Sequence, residues 1–138
     1  MSEEKPVEEE KPQKVKIRDV TEEGAAKSKE LRYTKRLAMT YTNDEGVTLQ
    51  GEFTIKRPTL GEQARIGVIC AEMRQDKPLS ALDRATASLH DALASCSVCI
   101  IKAPPWWDPE NMYDTEPLMQ LFKEAIAFWN SFRKDSVG

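Results

Sequence analysis

Two runs of alternating apolar and polar residues, one on each side of a short loop, constrain the fold of this chain more than any other feature. The first run places apolar side chains at every second position: Leu37, Met39 and Tyr41. A side-chain period of two is typical of a strand with one buried face. The loop, residues 43–46, ends in Gly46, which can adopt the positive φ that closes a four-residue hairpin turn. The sequence therefore predicts a β-hairpin over about residues 31–57.

Helical patterns replace the alternation after this hairpin. Three segments carry apolar residues at helical spacing: about 60–75, 80–100 and 115–133. Thr59 and Glu62 form a capping box at the start of the first segment. β-Branched residues cluster near the end of the second segment, so residues 98–101 could be extended instead of helical. We expect a single α+β domain over residues 31–138, with the hairpin packed on a three-helix unit.

The first thirty residues differ in composition from the rest. Residues 1–12 consist mainly of glutamate, lysine and proline, and Val7 is the only apolar side chain after Met1. Such a stretch cannot bury enough apolar surface to offset the entropy lost on ordering. We therefore expect a flexible charged arm over residues 1–30. Farther along this arm stand three apolar residues that could dock on a partner: Val15, Ile17 and Val20. A solvated tail and a partner-binding arm both remain open.

Charge and hydropathy bear on the classes of partner. The chain has 138 residues, enough for one domain, and a formal net charge of -3, which offers no basic field to a nucleic-acid backbone. No apolar run approaches the roughly 20 residues that a membrane span needs. The acidic N-terminal sequence also lacks the features of a secretory signal. We expect a cytoplasmic protein with free thiols that binds neither nucleic acid nor a membrane.

The pair Cys96 and Cys99 has the Cys-x-x-Cys spacing of redox and zinc sites. Here it lies near the end of a predicted helix, whereas redox pairs occupy the helix N-terminus, where the thiol pKa is lowered. No second pair completes four zinc ligands, and His90 is the only histidine in the chain. A Gly-rich phosphate loop is also missing from the sequence. We expect core thiols, no metal, no cofactor and no catalytic residue, and hence a non-enzymatic protein.

Trp106 and Trp107 follow two prolines and are the most informative part of the sequence. Prolines favour an extended path, in which neighbouring side chains point to opposite sides. One indole is therefore expected to be buried in the core of the domain. The other would cover the hairpin or the last helix, or would anchor an interface, since tryptophan is enriched among binding hot spots. Phe128, beside Trp129 on the last helix, raises the same alternatives.

Three segments of the chain resemble small proteins of tailed bacteriophages: residues 51–59 (GEFTIKRPT), 103–107 (APPWW) and 128–132 (FWNSF). The resemblance is to tail assembly chaperones and covers roughly Tyr41 to Phe132. These are helical proteins that hold the tape-measure protein and tail subunits before polymerisation. The resemblance implies that the partners are other phage structural proteins, namely tail, tape-measure or capsid subunits. It also implies a location in the host cytoplasm during assembly.

The sequence leads us to expect a non-enzymatic phage morphogenesis protein, with a tail assembly chaperone as the first interpretation. An exposed apolar patch would then shield aggregation-prone partners. The alternative is a virion structural protein, such as a head decoration protein or a minor capsid or tail component, whose extended arm docks on neighbouring subunits. Association with further copies of the chain is left open. The predicted partner-binding residues are Trp106, Trp107, Phe128, Val15, Ile17 and Val20.

Overall fold

A computed structural model describes residues 14–21, 33–75 and 77–137 of this chain, with side chains described as far as Phe132. Within these residues the chain forms an antiparallel sheet of four strands and three α-helices. The predicted α+β class is therefore confirmed. Residues 1–13 and 22–32, which make up most of the predicted arm, lie outside the described residues.

The strands pair in the order in which they occur along the chain. They are β1 (Val15–Asp19), β2 (Thr34–Thr42), β3 (Thr48–Lys56) and β4 (Ile100–Lys102). The predicted hairpin is confirmed as β2 and β3, with Leu37 opposite Phe53. Its turn closes as expected, because Gly46 has a φ of 85° and the Asn43 side chain accepts hydrogen bonds from two loop amides.

β1 lies where the sequence predicts a flexible arm, and for residues 15–20 that prediction is wrong. The strand pairs with the edge of β2, with Ile17 opposite Met39. Val15 and Val20 are buried in the chain's own interior, at 8% and 4% exposure. Val15 and Ile17 have the period-two spacing of an amphipathic strand. Pairing with the edge of β2 places both side chains against the hydrophobic core.

The helices are α1 (Leu60–Arg74), α2 (Arg84–Cys99) and α3 (Glu116–Val137). The capping box of Thr59 and Glu62 is present at the start of α1. α2 begins four residues later than predicted, because Asp83 is the residue whose side chain caps it, by accepting from the Thr86 amide at 2.7 Å. The chain continues from Cys99 directly into β4 at Ile100–Lys102. The extended alternative expected for residues 98–101 is therefore confirmed at residues 100 and 101, whereas residues 98 and 99 still belong to α2.

The described part of the chain has two hydrophobic core clusters. One joins the inner sheet face to α3, where Leu121 and Ala125 pack with Leu37 and Phe53. The smaller one joins α2 to α3 and contains Ala92, Cys96 and Leu118. Helix α1 packs on α2, and Cys70 is its only buried residue. Among the described residues no helix combines the length and the hydropathy needed to cross a membrane.

Candidate functional site

Residues 104–107 form a tight turn, in which the Trp107 amide donates to the Pro104 carbonyl oxygen at 3.0 Å. The extended path expected here is therefore wrong. Because the chain reverses, both indoles face the sheet, and each meets Phe53 edge-on, with ring centroids 6.1 Å away for Trp106 and 4.9 Å for Trp107. Both tryptophans are half-buried and pack against the same cluster. Two neighbouring indoles thus share one interior.

A glycine in the middle of β3 allows this turn to lie against the sheet. A Cβ atom at Gly51 would be 2.5 Å from the Cβ of Pro104, so no other residue fits without displacement of the turn. The Trp106 indole then donates from Nε1 to the Gln50 carbonyl oxygen at 3.0 Å. A glycine inside a strand pattern is the sequence signal that predicts such a close approach.

The other predicted partner-binding residues also contribute to the interior. Val15 belongs to the sheet cluster, and Ile17 and Phe128 pack against it. The centroids of the Phe128 and Phe132 rings are 5.2 Å apart. The Lys35 ammonium is 5.8 Å from the centroid of the Phe128 ring. The structure therefore brings most of these residues together, but as packing within the chain.

The most exposed large hydrophobic side chain of the described residues is Tyr113, with an exposed fraction of 102%. Sequence reasoning missed it. It lies between a short 3₁₀ turn, Pro109–Asn111, and the start of α3. A lone tyrosine among polar loop residues has no periodic pattern, so no signal in the sequence distinguishes it from a buried aromatic.

Two open grooves meet at Tyr113, and residues 112–114 line both of them. We call the two grooves together the Tyr113 surface. The first groove has a volume of about 300 Å³, and its apolar wall is formed by Leu49, Trp106 and Met112. The second has a volume of about 730 Å³, with an apolar wall of Met73, Leu89, Leu93 and Leu118. Trp106 thus lines the surface with part of its ring while the rest packs inward.

The charged residues that line the Tyr113 surface are all acidic. Asp44 and Glu45 line the first groove, Glu110 lines the second, and Asp114 lines both. No lysine or arginine of the described residues lines either groove. Carboxylates around an apolar centre form a polar rim of the kind found in protein interfaces.

A small polar network holds the segment that carries Tyr113. The Lys14 ammonium lies 2.8 Å from Asp114 and 3.2 Å from Asp44, and the Tyr41 hydroxyl donates to Asp114 at 3.3 Å. Asp114 also accepts from the Glu116 amide at 3.0 Å, in the first turn of α3. The residue after Tyr113 is therefore tied to β2, to the start of β1 and to α3.

The network shifts the pKa values of its members. Burial by itself would raise the pKa of Asp114, but the hydrogen bonds from Lys14 and from the Glu116 amide hold it below its usual value. The hydrogen bond with Asp114, followed by that with Asp44, raises the pKa of Lys14. Burial and the neighbouring Asp114 charge raise the pKa of Tyr41. At neutral pH Lys14 is therefore an ammonium, Asp114 a carboxylate and Tyr41 a neutral phenol.

The cysteines lie in the interior and have the properties of protonated thiols. Burial raises the pKa of Cys96 to about 12 and that of Cys99 to about 11. A protonated thiol is a poor nucleophile and a poor metal ligand. Within the described residues no three side chains of the metal-ligating types stand close enough to hold an ion. The Nδ1 atom of His90 is buried with no hydrogen-bond partner among these residues, and the ring lines the second groove.

The sheet and helices thus present one fully exposed tyrosine between two grooves with acidic rims. A fold of this kind does not define a function, which has to be argued from the surface itself. Comparison of this chain with protein-family models, with curated proteins and with solved structures found no match.

Proposed function

We propose that this protein is a non-enzymatic phage morphogenesis protein that binds other virion proteins and acts as a tail assembly chaperone. The observation that carries the binding role is the full exposure of Tyr113 between two apolar grooves. The phage assignment is supported by the sequence resemblance in residues 51–59, 103–107 and 128–132.

The composition of the Tyr113 surface supports a protein partner. Tyrosine is enriched among the residues that dominate binding energy, because its ring offers apolar contact area and its hydroxyl a hydrogen bond. Met112 and Trp106 flank it, and both residue types are also enriched in interfaces. A partner that covers Tyr113 and enters the grooves would remove these apolar atoms from water.

The surface is also organised before any partner arrives. Met112 packs against the sheet cluster, and the Asn111 side chain donates to Asp108 at 2.8 Å. On the other side of Tyr113, Asp114 is held by Lys14 and Tyr41. Ordering a loop on binding costs free energy, and a loop that is already ordered avoids this cost. The segment is therefore suited to recognition.

A chaperone of tail assembly has to hold an apolar part of its partner until polymerisation covers it. Open grooves suit this task, because the bound segment can leave without unfolding of the chaperone. Val15, Ile17 and Val20 do not support the alternative in which an extended arm docks on virion neighbours, since Val15 and Val20 are buried within this chain and Ile17 packs against its core.

Site-specific crosslinking during phage production tests the proposal. A photoreactive amino acid replaces Tyr113 in one variant and Leu60 in another, since Leu60 is 82% exposed and lines neither groove. We expect position 113 to crosslink to tail or tape-measure subunits and position 60 to give no such product. Mass spectrometry of purified particles should not detect the protein. Equal crosslinking at both positions, or many copies in the particle, would contradict the chaperone role.

A further inference from the structure

The charges around the Tyr113 surface restrict what can bind there. Four carboxylates line the two grooves, and Asp44, whose side chain is 78% exposed, is open to a partner. Among the described residues, Lys14 is the cation that contacts two of them. The surface is therefore negative overall, and it favours groups that carry positive charge.

The same charges disfavour two classes of partner. A nucleic-acid backbone and an anionic lipid surface both carry negative charge, which these carboxylates repel. The apolar walls disfavour a purely polar partner, because Leu49, Leu89 and Leu93 would then stay in contact with water. A segment that combines apolar side chains with lysine or arginine fits both properties.

The N-terminal segment of this chain is a poor candidate for the occupant. It ends at Lys14 in sequence, and Lys14 contacts Asp44 and Asp114 beside the first groove. However, residues 1–13 contain five glutamates and two lysines. Like charges facing each other across an interface are unfavourable, so this segment does not complement the rim.

We infer that the Tyr113 surface binds a cationic apolar segment of a partner polypeptide. Apolar side chains enter the two grooves on either side of Tyr113, and lysine or arginine side chains meet Asp44, Glu45 and Glu110. This inference rests on the proposed binding role of the Tyr113 surface and adds the chemistry of the partner to it.

The test uses the full chain and two fluorescently labelled peptides of equal length. Both have leucine at the same positions. All remaining positions are lysine in one peptide and glutamate in the other. At low ionic strength we expect the lysine peptide to bind at least about tenfold more tightly, and we expect added salt to reduce the difference, because exposed charge pairs are screened. Fluorescence anisotropy measures both affinities.

Two double variants locate the effect. Asp44→Asn with Glu110→Gln removes two rim charges and should weaken binding of the lysine peptide roughly two- to fivefold per charge. Asp91→Asn with Glu124→Gln removes the same charge at residues that line neither groove, and should leave the affinity within about twofold. Tyr113→Ser should weaken binding of the lysine peptide more than either double variant.

Several results would overturn the inference. These are equal affinity for the two peptides, no binding of either, or equal weakening by the two double variants. Two further results would assign the surface to another occupant. One is much tighter peptide binding after deletion of residues 1–13, and the other is self-association of the chain that Tyr113→Ser abolishes. In these cases crosslinking at position 113 still reports separately on the proposed function, so the two can fail independently.

Discussion

Trp107 and Tyr113 are six positions apart in the chain and lie in opposite environments. Trp107 packs against both core clusters, whereas Tyr113 is fully exposed. Sequence reasoning placed the candidate interface at the tryptophans, and the structure places the most exposed aromatic downstream of them. The difference shows that residue type ranks candidates for an interface, while the local path of the backbone decides which of them reaches the surface.

The two backbones explain the contrast. The turn at residues 104–107 folds back onto β3, where Gly51 leaves room for it. The segment from the 3₁₀ turn to α3 is instead anchored on either side of Tyr113, by packing of Met112 and by the ion pair of Asp114 with Lys14. Anchored neighbours hold the tyrosine between them away from the core. Four predictions test this comparison, in order of decreasing effect on stability.

The largest effect is expected from Trp107→Ala. Removal of an indole that contacts both clusters should lower the free energy of unfolding by about 3 to 5 kcal/mol. Urea denaturation followed by circular dichroism measures the change. A loss below about 1 kcal/mol would place Trp107 outside the core and would remove the contrast with Tyr113.

Gly51→Ala should come next, because its Cβ collides with Pro104 and displaces the turn that carries both tryptophans. Overpacking of this kind costs about 1 to 3 kcal/mol. Gly67→Ala is the matched control, since a Cβ at this exposed position of α1 meets nothing within 4 Å. The control should stabilise the protein by about 0.5 to 1 kcal/mol, because alanine is the better helix former. Equal destabilisation by both changes would show that the close approach at Gly51 is unimportant.

Acid should weaken the anchoring of the segment that carries Tyr113. The pKa of Asp114 is lowered in the folded protein, so its stabilising contribution is present above the usual aspartate pKa and is lost as the pH falls through the lower, folded value. Asp114→Asn should cost about 1 kcal/mol at neutral pH and flatten this acid limb. Unfolding curves at several pH values measure both effects. An unchanged acid limb in the variant would assign the pH dependence to other carboxylates.

The smallest change in stability is expected from Tyr113→Ser. A fully exposed side chain contributes little to folding, so the free energy of unfolding should stay within about 0.5 kcal/mol of that of the unchanged protein. Binding of the partner should nevertheless be lost. Leu60→Ser is the control, because it also removes an exposed apolar side chain but should preserve binding. A large loss of stability in Tyr113→Ser would make the tyrosine a structural residue.

Much of the fold could be predicted because its patterns are local. Alternation at Leu37, Met39 and Tyr41, the turn at Gly46 and the capping box at Thr59 each depend on neighbours within a few residues. β1 could not be predicted in this way, since its five residues become a strand only when paired with β2 across an intervening segment. A short amphipathic stretch after a charged segment has the same composition whether or not it pairs with the edge strand of a sheet.

The candidate site shows the same limit more strongly. The local pattern of residue types along the sequence was enough to predict the hairpin, the three helices and a pair of thiols suited to burial. The packing of Trp107 against the core and the exposure of Tyr113 depend on contacts between residues far apart in the chain, such as Gly51 with Pro104 and Lys14 with Asp114. Burial is a property of the neighbours that surround a side chain in space. Those neighbours exist only after the sheet and helices have packed.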